Sequence, residues 1–130
     1  MALALHDTPP AVTGRACEAV LMLAYYYRGK PVPDDTALVL QLDDGAWHRI
    51  FIDAGIVFWQ VMAALDSAAE YDRHHYAVTD LGTTHGLIGK RVRDVRTVDV
   101  EGGGEVHLAF DGAATVILRN VGGASTVTVH

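Results

Sequence analysis

The chain reads as an α+β domain, mostly antiparallel β, with two repeated β-meanders joined by one amphipathic helix. Three observations predict this. A glycine, a base and apolar residues at matching offsets occur twice, as Gly14-Arg15-Ala16-Cys17-Glu18-Ala19-Val20 and as Gly89-Lys90-Arg91-Val92-Arg93-Asp94-Val95. Each segment leads to an alternating apolar run that ends in Asp-Gly. These runs are Leu38, Leu40 and Leu42 before Asp44-Gly45, and Val106, Leu108 and Phe110 before Asp111-Gly112. A further glycine follows at Gly55 and at Gly122. The two copies are separated by a stretch with helical spacing.

Residues 1–13 read as a loose leader that ends after Pro9-Pro10. Copy one spans 14–59. Its opening run, Arg15 to Tyr27, has helix formers in its first half, but the matching run Val92 to Val100 is β-branched, so both are expected as strands. The segment from Arg28 to Asp35 holds two prolines and a glycine and is expected as a loop. Leu38 to Asp43 and Ala46 to Asp53 then form a hairpin, because Asp-Gly between alternating runs tolerates positive φ at the turn. Ile56 to Trp59 closes the copy.

Helix and linker occupy 60–86. The helix is expected over roughly Trp59 to His75, with Val61, Leu65 and Ala68 on one stripe and Asp66, Glu70, Arg73 and His74 on another. Gly82-Thr83-Thr84-His85-Gly86 reads as a turn-rich connection. Copy two spans 87–130, with strands at Val92 to Val100, Val106 to Phe110, Ala114 to Arg119 and Thr126 to Val129. One domain accounts for all 130 residues.

Composition narrows the function. Half of the residues are hydrophobic and one fifth charged, as in a folded soluble protein. A net charge of -6 disfavours nucleic acid as a partner. Lys90, Arg91, Arg93 and Arg96 cluster, but strand alternation divides them between two faces and predicts a solvated edge. No run approaches a membrane span, and the first residues lack the basic region of a signal peptide. Cys17 stands alone and corresponds to Val92, which predicts a small buried hydrophobe and a cytoplasmic setting.

No catalytic motif emerges. Ser67 and Ser125 lack a nucleophile-elbow setting, and Gly102-Gly103-Gly104 lacks the Lys-Ser/Thr of a phosphate loop. Asp34-Asp35 and Asp43-Asp44 fall in expected turns, where Asp bonds to the backbone. His74 and His75 point about 100° apart on a helix and do not share one ion. No catalytic residue, cofactor or resident metal is therefore expected. Both tryptophans lie in copy one, beside the acidic turns. Aromatics next to acids suit a basic protein partner, because complementary charge speeds association and aromatic burial holds the complex. The expected contacts are Asp34, Asp35, Asp43, Asp44, Trp47, Asp66 and Glu70. The alternative is a small molecule or metal in a pocket between the meanders, reached by His48, His74, His85 or His107. A homodimer follows if one sheet edge stays unpaired.

The run Leu87-Ile88-Gly89-Lys90-Arg91-Val92-Arg93-Asp94-Val95, followed by its Asp-Gly hairpin, resembles small bacterial domains, among them immunity proteins encoded beside polymorphic toxins. The resemblance covers 87–122 and, more weakly, 14–55. It implies a cytoplasmic, non-enzymatic inhibitor that neutralises a basic toxin by occluding it. The motif is structural and carries no functional residue over to this chain.

Overall fold

The computed structural model describes residues 4–5, 11–62 and 76–130. Among these residues, ten strands and one short helix follow in order. They are β1 (Ala4–Leu5), β2 (Cys17–Tyr27), β3 (Lys30–Leu42), β4 (Trp47–Asp53), β5 (Ile56–Met62), β6 (Tyr76–Asp80), α1 (Leu81–Thr84), β7 (Val92–Val100), β8 (Gly103–Phe110), β9 (Thr115–Val121) and β10 (Ala124–Val129). Two sheets result. One runs β1-β5-β4-β3-β2-β6, the other β10-β9-β8-β7. All pairings are antiparallel except β1 with β5.

Alternation explains the layering. In β4 the residues His48, Ile50 and Ile52 are buried while Trp47, Arg49 and Phe51 are half-buried. β8 and β9 repeat this, burying Val106, Leu108, Phe110, Val116 and Leu118. The buried faces of both sheets meet in one cluster that includes Val20, Leu38, Leu40, Leu42, Ile50 and Ile52 from the first sheet. A two-sheet core of this kind is the driving term for folding, at roughly 1.5–3 kcal/mol for each large aliphatic side chain fully buried. A second, smaller cluster of Leu23, Ala37 and Val39 lies on the opposite face of the first sheet, with Leu21, Trp47 and Phe51 packed on it.

The sheets are joined where β2 and β7 begin. Ala16 and Arg91 form an antiparallel bridge. Around it the hydrogen bonds come in matching pairs. Gly14 N–H donates to Val92 O and Gly89 N–H to Cys17 O, both at 2.7 Å. Cys17 N–H donates to Lys90 O and Val92 N–H to Arg15 O, both at 2.9 Å. Asp43 N–H reaches Ala16 O at 2.9 Å, and Asp111 N–H reaches Arg91 O at 2.8 Å. Even the ladder irregularities match, between Cys17 and Ala19 in β2 and between Val92 and Asp94 in β7. Gly14 and Gly89 both sit at positive φ, +87° and +81°, which lets the chain turn into this ladder.

Three expectations are corrected. The segment from Arg28 to Asp35 is a turn at Arg28-Gly29 only, and β3 already begins at Lys30. Arg28 and Gly29 both take positive φ, which matches the twist of a two-residue hairpin, so no longer loop is needed. The helix expected from Trp59 does not start there, because β5 runs on to Met62, paired residue for residue with β4. Its β-branched and aromatic content and its ladder outweigh the helical stripe. The rest of that helix, with Asp66, Glu70 and His74, lies outside the described residues. The connection at Gly82 to Gly86 begins within α1 and ends in a turn at His85-Gly86, and Asp80 caps the start of α1 by accepting from Thr83 N–H at 3.0 Å. That bond and the Thr83 hydroxyl hold the Asp80 carboxyl below its usual range. Among the described residues the fold is therefore mostly antiparallel β in two sheets, with very little helix.

Candidate functional site

Of the expected contact regions, the acidic β3–β4 turn is the one whose side chains lie among the described residues. Leu42 N–H donates to Ala46 O at 3.0 Å and Gly45 N–H to Leu42 O at 2.9 Å, which closes the turn. Gly45 takes the positive φ of +83° that the closure requires. Asp44 Oδ1 accepts from Ala46 N–H at 2.9 Å, an Asx-type bond that fixes the side chain to its own turn. Asp43 Oδ1 faces Arg15 Nη1 at 3.4 Å, and its Oδ2 accepts from Ala16 N–H at 3.4 Å. Both members of that ion pair are substantially exposed, so it contributes about 0–1 kcal/mol and mainly orients the carboxylate. Trp47 follows directly, half-buried against the cluster of Leu23, Ala37 and Val39. Two exposed carboxylates and an aromatic base are thus held in one conformation.

The remaining expected contacts fall elsewhere. Asp34 and Asp35 lie within β3 rather than in a turn, and their side chains are outside the described residues. Asp66 and Glu70 are outside them as well. Reasoning from the sequence missed the neighbours of the turn. The backbone ladder Asp43–Ala16–Arg91–Asp111 places the second Asp-Gly turn on the same seam, flanked by exposed Arg15, Lys90 and Arg91. The Arg91 guanidinium donates to Gly14 O. The repeated Asp-Gly signal, taken with the repeated glycine-base segment, was the clue to this juxtaposition.

The described histidines are dispersed. His48 is buried in the core-facing row of β4, and its Nδ1 accepts from Trp59 Nε1–H at 2.9 Å. The proton of the neutral ring therefore sits on Nε2. Burial lowers the His48 pKa, with Asp44 pulling weakly the other way. On the outer face of the second sheet, His107 Nε2 lies 2.8 Å from Glu105 Oε1, and Arg119 Nη1 donates to Glu105 Oε2 at 3.0 Å. His85 is exposed after α1. Among the described residues no group of three or more His, Cys, Asp or Glu is placed to hold a metal ion. Cys17 is fully buried, and burial, helped by Asp43, pushes its thiol up to about 12. At neutral pH it is a thiol and a poor nucleophile.

One cavity involves both sheets. Its volume is about 150 Å³, and it lies where Asp53-Ala54-Gly55 of the β4–β5 turn, Gly102-Gly103 of the β7–β8 turn and Gly123 of the β9–β10 turn meet Asn120. Asn120 is buried and donates to Ser125 Oγ at 2.8 Å. The space is about half the smallest common ligand pocket. Of the candidate histidines that are described, His48, His85 and His107, none lines it.

Set against family models, curated proteins and solved structures, the chain matches none of them. Among the described residues, no helix is long and apolar enough to cross a membrane.

Proposed function

We propose that the protein is a non-enzymatic protein-binding module, in the manner of a cytoplasmic immunity protein that occludes a basic toxin. The observation that carries this reading is the preorganised turn from Asp43 to Trp47. Its carboxylates are exposed yet already ordered, so a basic partner meets fixed negative charge without the entropic cost of arranging it. Trp47, half-buried at the foot of the turn, supplies aromatic surface of the kind that anchors interfaces. The net charge of -6 adds long-range attraction for a cationic surface.

The test is capture of partners by the purified chain, compared with a variant carrying Asp43→Lys and Asp44→Lys. Both positions are exposed, so circular dichroism and melting should change little. Capture of a basic partner should fall at least tenfold, and the wild-type complex should weaken as salt rises. Equal capture by the two chains would remove the turn from the interface.

The cavity between the three hairpin turns favours a second reading, a small-molecule site between the two sheets. Its size suits a fragment of a few heavy atoms rather than a cofactor. Small polar compounds that shift the resonances of Gly55, Gly103 and Asn120 together would support it.

A further inference from the structure

At the cavity between the three hairpin turns, the core-facing row of the second sheet turns polar. Along β9 that row runs Val116, Leu118, Asn120, and along β10 it begins at Ser125. Asn120 and Ser125 are only 5 % and 6 % exposed. Asn120 Nδ2 donates to Ser125 Oγ at 2.8 Å, which commits the amide nitrogen and fixes the plane of the group. Among the described residues no donor reaches Asn120 Oδ1, although a buried amide oxygen ordinarily has one. Nor is this oxygen sealed away from solvent. The open space that Asn120 borders is the cavity.

The rest of the wall is mostly main chain. Gly55, Gly102, Gly103 and Gly123 all line it, so no large side chain fills the space. The three turns carry two acids, Asp53 and Glu101, and no basic residue. Both acids are exposed, and neither has an ion pair among the described residues. The site therefore offers a fixed acceptor within and negative charge around its mouth.

We propose that this cavity binds a small organic cation rich in N–H donors, with a guanidinium head group as the best fit. The proposal rests on the small-molecule reading of the cavity and adds the class of ligand. A guanidinium is planar, has donors and no acceptor, and is weakly hydrated, so it leaves water readily for a site of acceptors. A neutral urea of the same shape also reaches Asn120 but gains nothing from Asp53 and Glu101. An anion is repelled. The head group can arrive on a free small molecule or at the tip of an arginine on a basic protein, and the chemistry of recognition is the same.

The experiment titrates the full chain at constant ionic strength and follows amide resonances. The probes are methylguanidinium, its neutral isostere methylurea, and a glycine peptide with one central arginine, all far below denaturing concentration. Methylguanidinium should shift Gly55, Gly103, Gly123 and Asn120 together, with a millimolar Kd, and methylurea should bind about fivefold more weakly. The double variant Asp53→Asn, Glu101→Gln changes exposed positions only, and it should erase that fivefold preference while methylurea binds as before. Asn120→Ala should weaken both compounds, and the charge variant keeps the test open if that chain does not fold. A peptide that binds more tightly than methylguanidinium assigns the cation to a protein partner, and a weaker one assigns it to a free small molecule. Methylurea bound as tightly as methylguanidinium, or a preference indifferent to both acids, would overturn the cation and leave the cavity a small-molecule site. No shift around the cavity with either compound would overturn both readings.

Discussion

His48 shows how much one buried side chain carries. Its ring accepts from Trp59 and stays neutral because burial disfavours the charged form. The sign of the pH dependence follows. The unfolded ring has a pKa near 6.5, and the folded one lies lower, so the unfolded chain takes up the proton first as pH falls. Stability is intact above about pH 6.5 and declines below it. Urea melts of the wild type should therefore lose midpoint between pH 7.5 and 5.5. His48→Leu should be about 1–3 kcal/mol less stable at pH 7.5, because the indole N–H loses its buried acceptor, and should lose less on acidification. A steeper acid loss in His48→Leu would show that other groups set the dependence. Nothing in the sequence marked this histidine as distinct from the exposed His85. Only its place on the core-facing row of β4, diagonal to Trp59 on β5, makes the difference.

The elements were legible where local chemistry and tertiary pairing agree. Both Asp-Gly turns, the alternating runs before them and the opening strands of each half were readable from period and turn residues. The start of β3 was obscured because Pro31 and Pro33 read as loop punctuation, while the positive φ of Arg28 allows a tight turn that its residue type does not announce. The end of β5 was obscured by an apolar stripe compatible with a helix, and its pairing with β4 is non-local information. Two glycines test this logic by opposite mechanisms. At Gly112, φ is +61° and an added Cβ meets nothing within 4 Å, so Gly112→Val should cost only the strain of about 1–2 kcal/mol and keep the fold. At Gly103 an added Cβ would stand 1.8 Å from the Asn120 carbonyl oxygen. Gly103→Ala must push β8 from β9 and should cost about 3 kcal/mol or more, at or above the usual overpacking range. Chemical denaturation of the two variants orders them; a milder effect at Gly103 would contradict the close approach described.

Across the whole molecule, two sheets share one core and are laced together at the Ala16–Arg91 bridge, so the acidic turns of both halves stand on one seam. The pairing of the two Asp-Gly turns was implicit in the repeated segments, but the seam that unites them was not. Long-range pairing leaves no local trace. Of the contact residues expected from the sequence, Asp43, Asp44 and Trp47 come together at one ordered turn, Arg15 joins them as a neighbour that only the folded chain reveals, and Asp111 stands at the other end of the same backbone ladder. An exposed, fixed acidic turn on an acidic protein argues for a basic macromolecular partner more strongly than a 150 Å³ cavity argues for a ligand. Native mass spectrometry of the untagged chain, isolated at low ionic strength from the cells that produce it, tests this most directly. A one-to-one complex with a basic protein that dissociates as salt is raised is the expected result. A chain that appears alone, as a homodimer only, or carrying a small molecule in place of a protein would contradict it.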